Sequence, residues 1–319
     1  MIWHYFGIDT ARFIASLFVV MIHIDPFIEP LNFVMTRIFG RLAVPFFMMT
    51  TGYFLYRREP EGRWLKTVLH LLKLYAFATL LYFPLMIYSG QLSSPGMFLQ
   101  DLFWNGTFYH LWYFPAMIIG LVIVEGLRRY APEKLAWFVV ILLYLIGLGG
   151  DSYGQWFIST SFYAGLGSWM AYTRNGLFFA PLMIMLGAHA SKCCLKPLGM
   201  LLLFGLYSGE MTLIHQNGWA VHDAMTLFLP LMSLALFQWL LKQSSKRHLL
   251  LANLSMWIYL LHPWLIVIVR GMASLSGLLI LKENALILYL LTVVGSLGAG
   301  WLIERGRRID GQKQKLDRN

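Results

Sequence analysis

The sequence predicts an all-α integral membrane protein, a bundle of about ten transmembrane helices with both termini cytoplasmic. Three observations predict it. The 319 residues are 58% hydrophobic and 13% charged, with a mean hydropathy of +0.63, a balance that a soluble core in a polar shell does not reach. Nearly uncharged runs long enough to cross about 30 Å of hydrocarbon recur along the whole chain. Lys and Arg collect in alternate loops.

Taken in order, the runs are centred near Ser16, Met48, Phe77, Ile118, Leu142, Leu182, Phe204, Leu231, Tyr259 and Val293. Each must be helical, because only helices satisfy their own backbone in lipid and no run alternates with the period of a membrane barrel. Starting from a cytoplasmic amino terminus, the inner loops gather Arg57, Arg58, Arg63 and Lys66, then Arg128, Arg129 and Lys134, then Lys192 and Lys196, then Lys242, Lys246 and Arg247. The tail adds Arg305, Arg307, Arg308, Lys313, Lys315 and Arg318, leaving Arg37, Arg41, Arg174 and Lys282 for the outer loops. This bias assigns the orientation. It also accounts for the net charge of +10, which sits beside helix ends where anionic headgroups lie, so nucleic-acid binding is not implied.

The first run is expected to stay as a helix, since Met1–Tyr5 holds no Lys or Arg and no small-residue cleavage site follows. The only cysteines, Cys193 and Cys194, are adjacent in an inner loop and suggest neither a structural disulfide nor a zinc site. With no linker or soluble insertion, residues 1–304 are expected to form one membrane domain and 305–319 a basic cytoplasmic tail. The longest outer loop, 150–175, is rich in aromatics, Ser and Gly, which suits either binding of polar rings and amides or an interfacial aromatic belt.

Chemistry is carried by polar residues inside the runs. In FGIDTARFIASLFVVMIHIDPF, Arg12 and His23 differ by about 20° in azimuth and stand about 16 Å apart, with Asp9 within about 60° of both. An ionisable residue at mid-depth costs at least about 2.5 kcal/mol, so this stripe should face protein or water. The plainer alternatives are a snorkelling Arg12 neutralised by Asp9 and a hydrogen-bonded interfacial His23. Arg41 enters the second run, His110 and Tyr113 fall one turn apart in TFYHLWYFPAMI, and Ser255, Tyr259 and His262 share a stripe in the ninth run. Toward the inner side, Arg12, His70, Lys73 and Glu125 put positive charge where an anionic cofactor would enter from the cytoplasm.

At these residues the sequence resembles the membrane acyltransferase-3 family. The likeness lies in GID before Arg12, in Arg12 and His23 separated by ten residues, in RLAVPFFMMTTGYF with Arg41, and in YLLHP with Tyr259 and His262. The segments HLWYFPAMI, YLIGLGGDS, TRNGLFFAPL and LSMWIYLLHPW resemble the membrane half of VanT-type serine racemases, and the 319 residues hold no counterpart of the racemase half. The resemblance implies a multi-pass protein of the cell inner or plasma membrane that moves an acyl group, commonly acetyl, from cytoplasmic acetyl-CoA to an extracytoplasmic hydroxyl acceptor such as a cell-envelope glycan. His23, Arg12, Arg41, Tyr259 and His262 would be catalytic, Arg12 and Lys73 would hold the CoA, and His110, Trp112, Tyr113 and Arg174 would bind the acceptor. No metal is implied; the partners are membrane lipid, acyl-CoA, the acceptor, and a separate racemase or cell-envelope enzyme.

In this scheme neutral His23 takes the acceptor's hydroxyl proton, while Arg41, Tyr113 and Tyr259 are candidates to stabilise the oxyanion. An acyl-histidine route stays open. No Gly-x-Ser-x-Gly elbow, HExxH motif or dinucleotide fingerprint supports soluble hydrolase, metalloprotease or dehydrogenase chemistry. The competing function is VanT-like transport of L-serine or a similar small polar substrate along the same path, and a non-catalytic sensor would leave the buried polar groups without a task.

Overall fold

A computed structural model describes residues 6–57, 62–90, 94–157, 159–191, 195–243, 249–277, 280 and 283–316. Arg58, Lys192, Cys193, Cys194, Lys246, Arg247, Lys282 and Arg318 lie outside them. The protein is all-α. Its helices are α1 (Phe6–Ile24), α2 (Ala43–Tyr56), α3 (Arg63–Tyr88), α4 (Pro95–Gln100), α5 (Tyr113–Tyr130), α6 (Glu133–Gly149), α7 (Gly154–Phe157), α8 (Ser161–Gly167), α9 (Ala180–His189), α10 (Pro197–Asn217), α11 (Leu229–Lys242), α12 (Leu249–Ser276) and α13 (Ala285–Leu316). Each expected span centre falls inside a helix. Six helical stretches among the described residues are long and apolar enough to cross a membrane: Gly7–Ile24, Phe33–Tyr56, Arg63–Tyr88, Pro197–Asn217, Leu250–Ser276 and Ala285–Arg307. α9 and α11 are apolar but shorter.

The chain forms two compact units, Met1–Ala43 with Leu240–Asn319, and Val44–Trp239. The first unit is built on α1, α12 and α13, whose facing sides bury Val20, Met21, Ile24, Ile258, Ile266, Leu288 and Tyr289. Between α1 and α2 the chain winds through a wide turn, Phe33–Phe39, and a tight one, Gly40–Leu42. Gly40 permits this segment to lie on α1, since a Cβ there would stand 2.9 Å from the Ile22 side chain. α13 runs antiparallel to α12: Gly295 abuts Leu265, Gly300 abuts Trp257, and Glu304 hydrogen-bonds Trp257 and Asn253. It continues to Leu316, through the stretch expected as a tail.

In the second unit α2 and α9 touch backbone to backbone. A Cβ on Gly52 would lie 2.1 Å from Ile184 O, and one on Gly187 would lie 2.1 Å from Met49 O, which is the close approach small residues give in membrane packing. Gly120 does the same for α5 against Ala180 of α9. Two carboxylates fix the chain between α10 and α11. Asp151, fully buried, accepts hydrogen bonds from the backbone N–H groups of Ala224 and Met225, both at 2.8 Å. Glu210 accepts from Leu227 N, Phe228 N and the Tyr153 hydroxyl. Burial and this carboxylate push the Tyr153 phenol above its ordinary range, so it remains a donor.

Candidate active site

The first unit's site begins with a proline. Pro263 lies inside α12 and has no N–H, so the carbonyl of Tyr259, four residues back, loses its helical donor. His262 supplies a substitute: its Nδ1 is 2.8 Å from Tyr259 O and 3.1 Å from Ile258 O. A carbonyl oxygen only accepts, so Nδ1 carries the hydrogen and Nε2 is the basic nitrogen of the neutral ring. His262 is wholly buried, and its orientation is set by a defect in its own helix.

The ring of His23, near the end of α1, stacks on His262 with centroids 5.3 Å apart and planes 18° apart. The Tyr259 ring stands 6.3 Å from His262 on the other element of the pair. His23 and Arg12 are both partly buried, while Ile14 carries the exposed side of α1. Arg12 Nε and Arg41 Nε are shut off from solvent. Arg41 belongs to the Gly40–Leu42 turn ahead of α2. Ser255, on the expected stripe, is buried and turns its hydroxyl back to Ala252 O at 2.8 Å. The unit therefore brings His23, His262 and Tyr259 together and sets Arg12 on the same helix as His23.

The remaining expected residues lie in the second unit. His110 is not on α5 but in the turn before it, because the helix starts at Tyr113. It is buried against the rings of Tyr82, Phe108 and Tyr109, at 4.7, 5.9 and 5.5 Å. Tyr113 packs edge-on against Phe47. Arg174 is partly buried, and its guanidinium lies over Trp112 at 4.9 Å and over Tyr172 at 4.8 Å. Tyr172 in turn meets the His222 ring at 4.4 Å, on the segment held by Asp151 and Glu210. A guanidinium held against two aromatic rings keeps a fixed plane, the geometry that suits a carboxylate or a polar ring. Lys73 is exposed on α3, as are Leu69 and Leu72.

The acyltransferase-domain model, acyltransferase-3, matches residues 5–305. The chain belongs to the acyltransferase-3 family. The match takes in both units. An amino-acid racemase of Enterococcus faecalis is 38% identical over 97% of this chain and 47% of its own length. A serine/alanine racemase of Enterococcus gallinarum is 34% identical over 92% of this chain and 45% of its own. The chain spans about half the length of these curated relatives. No solved structure matches it. As an acyltransferase-3 member it is a multi-pass membrane protein classed with enzymes that transfer acyl groups.

Three features of this acyltransferase-3 chain escaped the sequence. Tyr172 stands two residues before Arg174, but nothing in the sequence marks it or His222 as ring partners. The third is a stripe on α13, Thr292, Ser296, Gly300 and Glu304, spaced by four and buried at each member. Its spacing was visible. Among the described residues no group of three His, Cys, Asp or Glu side chains is placed to hold a metal ion.

Proposed function

We propose that this acyltransferase-3 member moves an acetyl group from cytoplasmic acetyl-CoA to an extracytoplasmic hydroxyl acceptor such as a cell-envelope glycan. The observation that carries the reading is the His23–His262 stack on α1 and α12, with Arg12 on the same helix as His23; the proposed topology puts Arg12 toward the cytoplasm. Arg12 meets the anionic donor. The acceptor's O–H gives its proton to His23, the oxygen attacks the thioester carbonyl, the C–S bond breaks, and the proton ends on the CoA thiolate. Neutral His262, its tautomer set by Tyr259 O, lies against the imidazolium that forms on His23. Arg41 and Tyr259 serve the oxyanion in the same unit. Arg12 and Lys73 are assigned to the acyl donor. The Arg174 platform with Trp112 is assigned to acceptor recognition, together with His110 and Tyr113.

Topology completes the proposal: ten spans with both termini cytoplasmic, residues 1–304 as membrane domain and 305–319 as cytoplasmic tail. The loop distribution of Lys and Arg supports it. A second reading, transport of L-serine or a similar small polar substrate, draws support from the names of the relatives.

One pair of assays separates the two. Purified protein given acetyl-CoA and a panel of hydroxyl acceptors should release free CoA thiol. Uptake of serine into liposomes at rates indifferent to acetyl-CoA, without thiol release for any acceptor, would discard the transferase in favour of transport.

A further inference from the structure

An apolar cavity of about 620 Å³ opens on the second unit, a size typical of small-molecule sites. Leu99, Phe103, Trp104, Ile119 and Trp169 line most of it, and none of its lining side chains is charged. Its walls are fixed. The Gln100 amide donates to Ser168 O at 2.9 Å, and Ala171 N donates to Asn105 Oδ1 at 2.8 Å, so segments 68 and 66 residues apart are tied at two points. From α3 the Tyr75 hydroxyl donates to Leu102 O and accepts from Thr107 N, which holds one wall from behind. That wall, Asp101–Asn105, is wound as a π turn, a rare form that recurs at functional sites.

Depth and chemistry select the occupant. Ile119 lies about 9 Å along α5 from Tyr113, next to Ile118, and on the proposed ten-span topology this sets the cavity floor at hydrocarbon depth. An apolar space at that depth takes an alkyl chain, since water finds no partners there. Around it Leu99, Phe103 and Trp169 are more than half exposed, a surface suited to lipid. A polar end is within reach. Ala171 precedes Arg174 by three residues, a chain length of at most about 11 Å, which is less than one leaflet's share of the roughly 30 Å hydrocarbon core. One lipid can therefore lodge a chain in the cavity and present an anionic head to the Arg174 guanidinium over Trp112. Asp101, the acidic side chain of the π turn, accepts from Asn105 Nδ2 at 2.9 Å.

We infer that the cavity holds a hydrocarbon chain of the acyl acceptor, so that the hydroxyl to be acylated belongs to a lipid-anchored molecule with an anionic head. This rests on the acyl-transfer reading above. Gly96 also lines the cavity, and a Cβ there would meet nothing within 4 Å, so Gly96→Trp plugs the space and leaves its walls in place. Met97→Trp, at an exposed neighbour outside the lining, is the control.

The protein is tested in phosphatidylcholine vesicles with acetyl-labelled CoA. Two lipid acceptors, phosphatidylglycerol and a polyprenyl-phosphate hexose, are compared with their chain-free heads, glycerophosphoglycerol and the hexose phosphate. The unaltered chain should label a lipid acceptor, and Gly96→Trp should raise its KM about 15-fold, the worth of about two excluded methylenes, with Met97→Trp within twofold. Equal KM in Gly96→Trp, or label on the chain-free heads alone, overturns the inference. Should no acceptor take acetyl, acyl transfer fails by itself, and photolabelling by phosphatidylglycerol with a diazirine on its chain decides the rest. Labelling of Phe103, Trp104 or Ile119 that Gly96→Trp removes and Met97→Trp keeps supports a lipid-anchored ligand. Labelling that Gly96→Trp leaves intact means an adventitious lipid only and overturns it, as does no labelling there.

Discussion

Pro263→Ala should make the protein more stable and less active at once. The substitution restores an N–H to α12 at the point where the carbonyl of Tyr259 now takes its hydrogen bond from His262 Nδ1, at 2.8 Å. A continuous helix gains one backbone bond and sheds a ring clash, together about 1–3 kcal/mol. For a chain of this size that is a rise of several degrees in thermal midpoint. The same bond displaces His262 as donor to Tyr259 O and releases the ring from the tautomer and rotation it holds against His23. One orienting hydrogen bond is worth about 1 kcal/mol, so kcat for acetyl-CoA should fall about fivefold or more with little change in KM. Thermal unfolding in detergent and thiol-release kinetics on the same preparation provide the two readings. A higher midpoint with full activity would refute the role given to the His–Pro step, and so would a lower midpoint.

Other perturbations test the packing and the acceptor side. Gly187→Ala places a Cβ about where 2.1 Å separates it from Met49 O, so α2 and α9 must part; overpacking of this kind costs about 1–3 kcal/mol or more, read as a fall in thermal midpoint. Asp151→Ala strands the N–H groups of Ala224 and Met225, each worth about 1–3 kcal/mol, whereas Asp151→Asn keeps an acceptor; hydrogen exchange of peptides covering 221–226 should accelerate strongly in the first and mildly in the second. Arg174→Lys retains the charge but not the plane stacked between Trp112 and Tyr172, and the acceptor KM should rise about fivefold with kcat unchanged.

The helices were legible because lipid enforces long apolar runs, and every expected centre lies within a helix. So was the placement of Arg12 and His23 on one helix, since helical period relates two residues on one element. The meeting of His23 with His262 joins residues more than two hundred positions apart, and no pattern within either helix encodes it. His110 illustrates a different limit. TFYHLWYFPAMI is continuous in hydropathy, yet the chain turns through Thr107–Trp112 and helix begins only at Tyr113, because Phe108 and His110 pack on Tyr82 of α3.

The central claim is that His23 takes a proton from a hydroxyl acceptor on the outer side while the acetyl donor stays on the inner side. Its most direct measurement uses sealed proteoliposomes in which the chain's cytoplasmic face meets acetyl-CoA labelled in the acetyl group and a panel of glycan and other hydroxyl acceptors is confined to the opposite compartment. The account predicts label on an acceptor with the unaltered chain and none with folded His23→Ala. Equal labelling by the two proteins would contradict it.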